Sequence, residues 1–149
     1  FDICKRAYDL LVDTVGIDAY PRLGLPATAT AAQMQLAWRR WLQQTVPNAP
    51  GDVPLYELGA AAEAGTVTNP ALPHTAGAPL DEGVQARWLG AACRAAQAHG
   101  LGGVYLWKME LDADPALADP VGDLHDSWLG RTADTALRQC FTDWAAAPS

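Results

Sequence analysis

The sequence has 149 residues, of which 50% are hydrophobic and 18% are charged, and its formal net charge is −7. This much apolar material excludes an intrinsically disordered chain, and the acidic balance argues against nucleic acid as a partner. No apolar run reaches the roughly 18 residues that a membrane-spanning helix requires, so we do not expect a membrane partner either.

The beginning of the chain carries one helix signal and one strand signal. Apolar residues recur at helical spacing from Phe1 to Leu11, which predicts that the chain starts inside or just before a helix. Residues 12–20 form a short apolar run with several β-branched side chains, and Pro21 follows directly. This pattern predicts a buried strand that ends before the proline.

The clearest helix signal begins at Thr30. Thr30 and Gln33 have the spacing of a capping box, in which a hydroxyl and an amide bind free backbone groups of the first turn. The residues that follow form one apolar stripe at helical spacing, namely Met34, Ala37, Trp38, Trp41 and Leu42. We expect this stripe to pack in the core and the helix to end at residues 47–51.

A second pair of strand and helix follows. Residues 53–58 predict a strand whose start is irregular at Pro54, and a long loop covers residues 59–80. Loops of this length in a compact domain are commonly functional. Asp81 and Gly100 are suitable N-cap and C-cap residues for a helix over residues 82–99.

The last part of the chain repeats the alternation. Residues 103–109 predict a third strand, an acidic loop covers residues 110–128, and a final helix starts near Thr132, with Ala133, Leu137, Cys140, Phe141 and Trp144 on one face. The acidic loop lacks the spacing of a calcium-binding loop, so we expect a solvated loop without a metal. His74 and His125 lie in the two long loops, where either could contact a substrate, and we expect both to be exposed.

The cysteines and glycines indicate no cofactor. Cys4, Cys93 and Cys140 contain no closely spaced pair of the kind that binds zinc. Cys93 and Cys140 fit small buried helix positions, and the sequence leaves a disulfide open. Neither a dinucleotide-binding glycine motif after a strand nor a phosphate-binding loop is present.

Regular alternation of helices and strands predicts parallel strands joined by right-handed crossovers. Two architectures fit this pattern: an open parallel α/β sheet, and part of a (β/α)8 TIM barrel. The loops that follow the second and third strands are longer than those at the opposite edge. This asymmetry favours the barrel, whose chemistry lies at the carboxyl ends of its strands.

Five segments are collinear with one known group of enzymes. They read Gly-Ile-Asp-Ala-Tyr-Pro at 16–21, Glu-Leu-Gly at 57–59, Gln-Ala-Arg-Trp at 85–88, Gly-Val-Tyr-Leu-Trp-Lys at 103–108 and Gly-Arg-Thr-Ala at 130–133. Together they resemble the last part of retaining glycoside hydrolases of clan A, closest to family 113, the β-mannanase-like family. The resemblance implies that residues 1–149 are the C-terminal part of one TIM-barrel domain, about strands six to eight. The N-terminal part of the barrel would lie upstream or on another chain.

The resemblance also implies a hydrolase that acts on a β-linked glycan, with β-mannan-like material as the best match. It makes Glu57 the catalytic nucleophile and puts the acid/base glutamate outside this chain. Retaining hydrolysis needs two carboxyl groups about 5–5.5 Å apart, one to attack the anomeric carbon and one to protonate the leaving oxygen. Tyr20 is suited to donate its hydroxyl to Glu57, and Trp107 to support a sugar ring. Asp18 and Lys108 complete the candidate substrate-binding residues, although Asp18 also suits a structural pairing.

Two alternatives remain open at this point. Ala60 and Ala61 stand where the family commonly has Tyr and Arg, which removes polar contacts near the reaction centre. This departure favours a non-catalytic carbohydrate-binding or interaction protein on the same fold. The other alternative is a glycoside phosphorylase or transglycosylase that uses the same nucleophile. Hydrolysis of a polymer would favour a location outside the cytoplasm, for which the sequence shows no signal.

Overall fold

A computed structural model describes residues 15–47, 53–71, 75, 77–108 and 125–147. The helix expected near Phe1, His74, and most of the acidic loop lie outside these residues. Within them, strands and helices alternate in the order β1 (Ile17–Asp18), α1 (Ala31–Thr45), β2 (Pro54–Gly59), α2 (Glu82–His99), β3 (Gly103–Trp107) and α3 (Thr132–Ala146). A short 3₁₀ helix, Ala64–Val67, lies in the long loop after β2.

The three strands form one parallel sheet in the order β1-β2-β3. Leu55 lies at its centre and pairs with Ile17 on one side and Val104 on the other. This arrangement agrees with an open parallel α/β sheet, and the described residues form no closed barrel. Because the strands run in the same direction, their carboxyl ends meet at a single edge.

Strand β1 is shorter than the apolar run that predicted it. Among the described residues it covers only Ile17–Asp18, and its register with β2 shifts between these two residues. The contact with β2 nevertheless continues, because the Ala19 amide donates to the Glu57 carbonyl at 2.7 Å. The irregular ladder therefore shortens the strand without separating it from the sheet.

The core lies between one face of the sheet and the three helices. Leu55 and Leu58 are both fully buried, although a regular strand would turn residues three apart to opposite faces. The β2–β3 register shifts between these two positions. The largest helix side chains that complete the core are Met34, Trp38, Leu42, Trp88, Leu89 and Leu137.

The opposite face of the sheet, which we call the open face, carries large exposed side chains. Tyr56, Tyr105 and Trp107 are 44%, 60% and 52% exposed. The rings of Tyr56 and Tyr105 lie against each other, with centroids 5.6 Å apart. Aromatic side chains of this size are normally buried, so this face is unusual for a parallel sheet.

The predicted caps of α1 and α2 are confirmed. The backbone N–H of Gln33 donates to Thr30 Oγ1 at 3.3 Å, and the backbone N–H of Thr30 donates to the side-chain Oε1 of Gln33 at 2.8 Å. Asp81 Oδ1 accepts from the Val84 amide at 2.9 Å, and Gly100 ends α2 with a φ of 79°. Only glycine adopts this left-handed backbone without a steric penalty, which is why the helix ends there.

Helix α2 is packed between the other two helices. Trp88 meets Trp38 of α1 edge-on, with ring centroids 5.2 Å apart. On its other side, Cys93 forms a disulfide with Cys140 of α3. The bridge that the sequence left open is therefore present and joins two helices across the core.

The prediction for α3 is partly wrong. Ala133, Leu137 and Cys140 are buried and the partly buried Trp144 packs against the core, as expected, but Phe141 is 37% exposed. Phe141 and Trp144 also line a pocket beside β3, together with Tyr105. At about 100° per residue, Phe141 lies at the edge of the buried stripe that Leu137 and Cys140 define, so its ring is partly exposed.

Loss of the Cys93–Cys140 bridge should destabilise the fold. The bridge closes a loop with a sequence separation of 47, so breaking it releases considerable entropy in the unfolded chain. We expect Cys93→Ala with Cys140→Ala to lower the free energy of unfolding by about 2–4 kcal/mol in urea titrations. Cys4→Ala, which leaves the bridge intact, is the control. Equal urea midpoints with and without a reductant would contradict the prediction.

Candidate active site

Glu57 and Tyr20 are joined at the carboxyl edge of the sheet. The Tyr20 hydroxyl donates to Glu57 Oε1 at 2.6 Å, so the hydrogen bond expected between them is present. Glu57 lies in β2, and Tyr20 follows β1 by two residues. The backbone bond from Ala19 to Glu57 holds the two segments together and directs the tyrosine ring across to the neighbouring strand.

The surroundings of Tyr20 keep its hydroxyl protonated. Burial of the ring raises the pKa of Tyr20, and the hydrogen bond to Glu57 raises it further. The negative charges of Glu57, Asp18 and Asp126 act in the same direction. Since an ordinary tyrosine ionises near pH 10, Tyr20 stays a hydrogen-bond donor to Glu57 throughout the neutral range.

Gly59 allows the ends of the three strands to converge. A Cβ atom at this position would lie 2.7 Å from the Trp107 carbonyl oxygen and 3.1 Å from the Tyr20 hydroxyl oxygen. It would also lie 3.2 Å from Cδ1 of the Trp107 ring. The glycine of the Glu-Leu-Gly segment is therefore required by close packing, a role that the sequence alone did not assign.

The other candidate residues surround this pair at the same edge. Trp107 lies on the open face and is 52% exposed, so it is not a core residue. Lys108 follows it through a cis peptide bond and is partly buried. Asp18 is exposed and is paired in register with Glu57, and its charge acts on Tyr20. The structure thus brings all five candidates to one edge of the sheet.

A buried hydrogen-bonded pair of side chains lies in the loops next to this edge, and sequence reasoning missed it. His125, expected to be exposed, is buried, and its Nδ1 lies 3.0 Å from Oε1 of the buried Glu63. The Thr75 amide donates to both carboxylate oxygens of Glu63, at 3.1 and 3.3 Å. The expectation for His125 was wrong because the loop after β2 folds over it.

Gln85 is a further buried polar residue, and the sequence assigned it no role. It is fully buried, and its Nε2 lies 2.8 to 3.4 Å from four backbone carbonyl oxygens, those of Ala60, His125, Asp126 and Ser127. The available signal was its helical position, because it lies three residues before Trp88 on the apolar side of α2. A polar residue on that side needs an internal partner.

Other parts of the described structure offer no comparable site. The pocket beside Tyr105, Phe141 and Trp144 has a volume of about 340 Å³ and contains no carboxylate or nucleophile in its lining. Among residues 15–47, 53–71, 75, 77–108 and 125–147, no three His, Cys, Asp or Glu side chains are placed to hold a metal ion. No helix in the same residues is long and apolar enough to cross a membrane.

Comparison with protein-family models, with curated proteins and with solved structures finds no match for this chain.

Gly59→Ala tests the convergence of the strand ends. The added methyl group meets backbone as well as side chain, so we expect the free energy of unfolding to fall by about 1–3 kcal/mol. Gly65→Ala is the matched control, because a Cβ at Gly65 would meet nothing within 4 Å. Urea denaturation of both variants measures the difference. Equal losses in the two variants would contradict the close packing.

The raised pKa of Tyr20 predicts a pH dependence of stability. A group whose pKa is higher in the folded state stabilises the fold fully below its unfolded pKa, and this contribution declines as pH rises further. We therefore expect the stability advantage of the natural protein over Tyr20→Phe to shrink above about pH 10. Urea titrations between about pH 8 and pH 11 measure it, with Tyr105→Phe on the open face as control. An advantage that grows with pH would contradict the prediction.

Proposed function

We propose that this chain carries the nucleophile of a retaining glycoside hydrolase that acts on a β-linked glycan, with β-mannan-like material as the best candidate. One observation carries the proposal: the 2.6 Å bond from Tyr20 to Glu57 at the carboxyl edge of a parallel sheet. Catalytic residues of barrel enzymes occupy this edge. The exposed ring of Trp107 at the same edge supplies a flat apolar surface of the kind that packs against a sugar ring.

The hydrogen bond suits Glu57 to nucleophilic attack. It engages Oε1 and orients the carboxylate, while Oε2 makes no hydrogen bond to the described residues. In the proposed reaction, Oε2 bonds to the anomeric carbon as the glycosidic carbon–oxygen bond breaks, and a carboxylic acid protonates the leaving oxygen. Water then attacks the anomeric carbon and loses its proton to that second carboxylate, which releases the sugar and restores Glu57.

The second carboxyl group would come from the remainder of a (β/α)8 barrel, upstream or on another chain. The open face supports this part of the proposal. Parallel sheets are normally covered on both faces, yet Tyr56, Tyr105 and Trp107 are exposed here. Further strands that pair with the edges of β1 and β3 and close into a barrel would bury these rings.

A non-catalytic carbohydrate-binding protein is the second candidate. The same three aromatic side chains favour it, because exposed rings on one face bind sugars without chemistry. Ala60 and Ala61, both buried, offer no side-chain polar contact to a substrate. The two candidates differ in one property, since only the hydrolase forms a covalent bond at Glu57.

Glu57→Gln separates the two candidates. We expect the substitution to lower kcat on the preferred β-glycan by roughly 10³-fold or more, because an amide cannot attack the anomeric carbon. Glycan affinity should remain within about threefold, since the amide keeps the shape and accepts the bond from Tyr20. Steady-state kinetics and calorimetry on the intact protein measure both quantities. Glu82→Gln, the same change at the start of α2, is the control.

A mechanism-based fluoro-sugar provides the direct test. Incubation should add the mass of one glycosyl group to Glu57, detected by peptide mass spectrometry, and Glu57→Gln should remain unlabelled. Full activity in Glu57→Gln, or label on another residue, would refute the assignment. Glycan binding without any label would support the binding protein instead.

A further inference from the structure

Gln85 makes an unusual set of contacts for a core residue. Its Nε2 lies 2.8 Å from the Ala60 carbonyl oxygen and 3.3 to 3.4 Å from the carbonyl oxygens of residues 125–127. Its own amide oxygen is buried without a partner among the described residues. The contact therefore depends on the two N–H groups alone. A buried oxygen atom without a hydrogen bond costs free energy. The Gln85 amide therefore serves as a donor to the backbone around it.

The backbone that Gln85 joins comes from two different loops. Ala60 lies three residues after Glu57, at the point where the chain leaves β2. Residues 125–127 belong to the segment between β3 and α3. The Ala62 amide also donates to the His125 carbonyl at 2.7 Å, and Glu63 pairs with the His125 ring. Hydrogen bonds at Ala60, Ala62 and Glu63 thus join the two loops.

This junction lies next to the Tyr20–Glu57 pair. Asp126, whose carbonyl oxygen faces Gln85, carries one of the charges that raise the pKa of Tyr20. Gly59 directly precedes Ala60. A Cβ atom at Gly59 would lie close to both Tyr20 and Trp107. A shift of the junction would move the end of β2 and the charge beside Tyr20 together.

We propose that Gln85 is a positioning residue for Glu57: its buried amide fixes the loop after β2 to residues 125–127 and so holds the Tyr20–Glu57 pair in its reactive geometry. The catalytic part of this inference rests on the proposed function. The structural part does not, because the hydrogen bond between Tyr20 and Glu57 can be observed without turnover.

Two substitutions remove the donors while they keep the length of the side chain. Gln85→Glu places a carboxyl group against four carbonyl oxygens, and Gln85→Met removes the side-chain donor from all four. Gln97→Glu, the same change near the end of the same helix, is the matched control. In the full chain, the ¹³Cζ signal of Tyr20, assigned by its loss in Tyr20→Phe, reports ionisation of the hydroxyl as pH rises.

In both Gln85 variants we expect Tyr20 to ionise at a lower pH, closer to the value near 10 of an ordinary tyrosine, while the circular dichroism spectrum stays folded. With an active preparation, kcat should fall roughly 10- to 100-fold and KM should change less than about threefold, because positioning affects the reaction more than binding. Gln97→Glu should change neither quantity.

An unchanged Tyr20 titration in folded Gln85 variants would overturn the proposal. Unfolding of both variants would also overturn it, because Gln85 would then stabilise the core as a whole. If the natural protein cleaves no glycan but the Tyr20 titration shifts as expected, the proposed function fails and the positioning role stands.

Discussion

The burial of α2 is the constraint on which the rest of the described structure depends. The helix packs against α1 through Trp88 and Trp38, and it is bonded to α3 through the Cys93–Cys140 bridge. Its inner side also contacts the sheet and carries Gln85, which binds the loops at the carboxyl edge. A helix in this position must be apolar almost all round, and the repeated alanines of α2 meet that requirement because they allow neighbouring elements to approach closely.

The parallel direction of the strands explains where the candidate site lies. The crossovers through α1 and α2 return each strand in the same direction, so Tyr20, Glu57 and Trp107 reach the same edge from distant points in the sequence. The close approach then depends on Gly59, since any side chain there would separate Tyr20 from Trp107. The architecture brings the residues to one edge, and the missing side chain of Gly59 leaves room for Tyr20 and Trp107 beside it.

The two faces of the sheet have opposite properties. One face is buried under the helices, while the other exposes Tyr56, Tyr105 and Trp107. A hydrophobic surface of this kind is stable in water only at some cost, which a covering layer or a bound sugar would remove. Under either proposal, a partner would lie on this exposed side of the sheet.

The sequence by itself determined the features that depend on near neighbours. The capping box at Thr30, the caps of α2 at Asp81 and Gly100, and the alternation of helices and strands were all predictable, because hydrogen bonds and side-chain periodicity within a few residues produce them. The pairing of Tyr20 with Glu57 could be anticipated only as far as the resemblance extended.

Tertiary structure alone decided the contacts between distant segments. The Glu63–His125 pair, the four carbonyl oxygens around Gln85 and the Cys93–Cys140 bridge each join residues that no local pattern relates. The register shifts that shorten β1 and bury both Leu55 and Leu58 are of the same kind. The physical reason is that burial and long-range hydrogen bonds depend on what covers a residue, and the cover comes from another part of the chain.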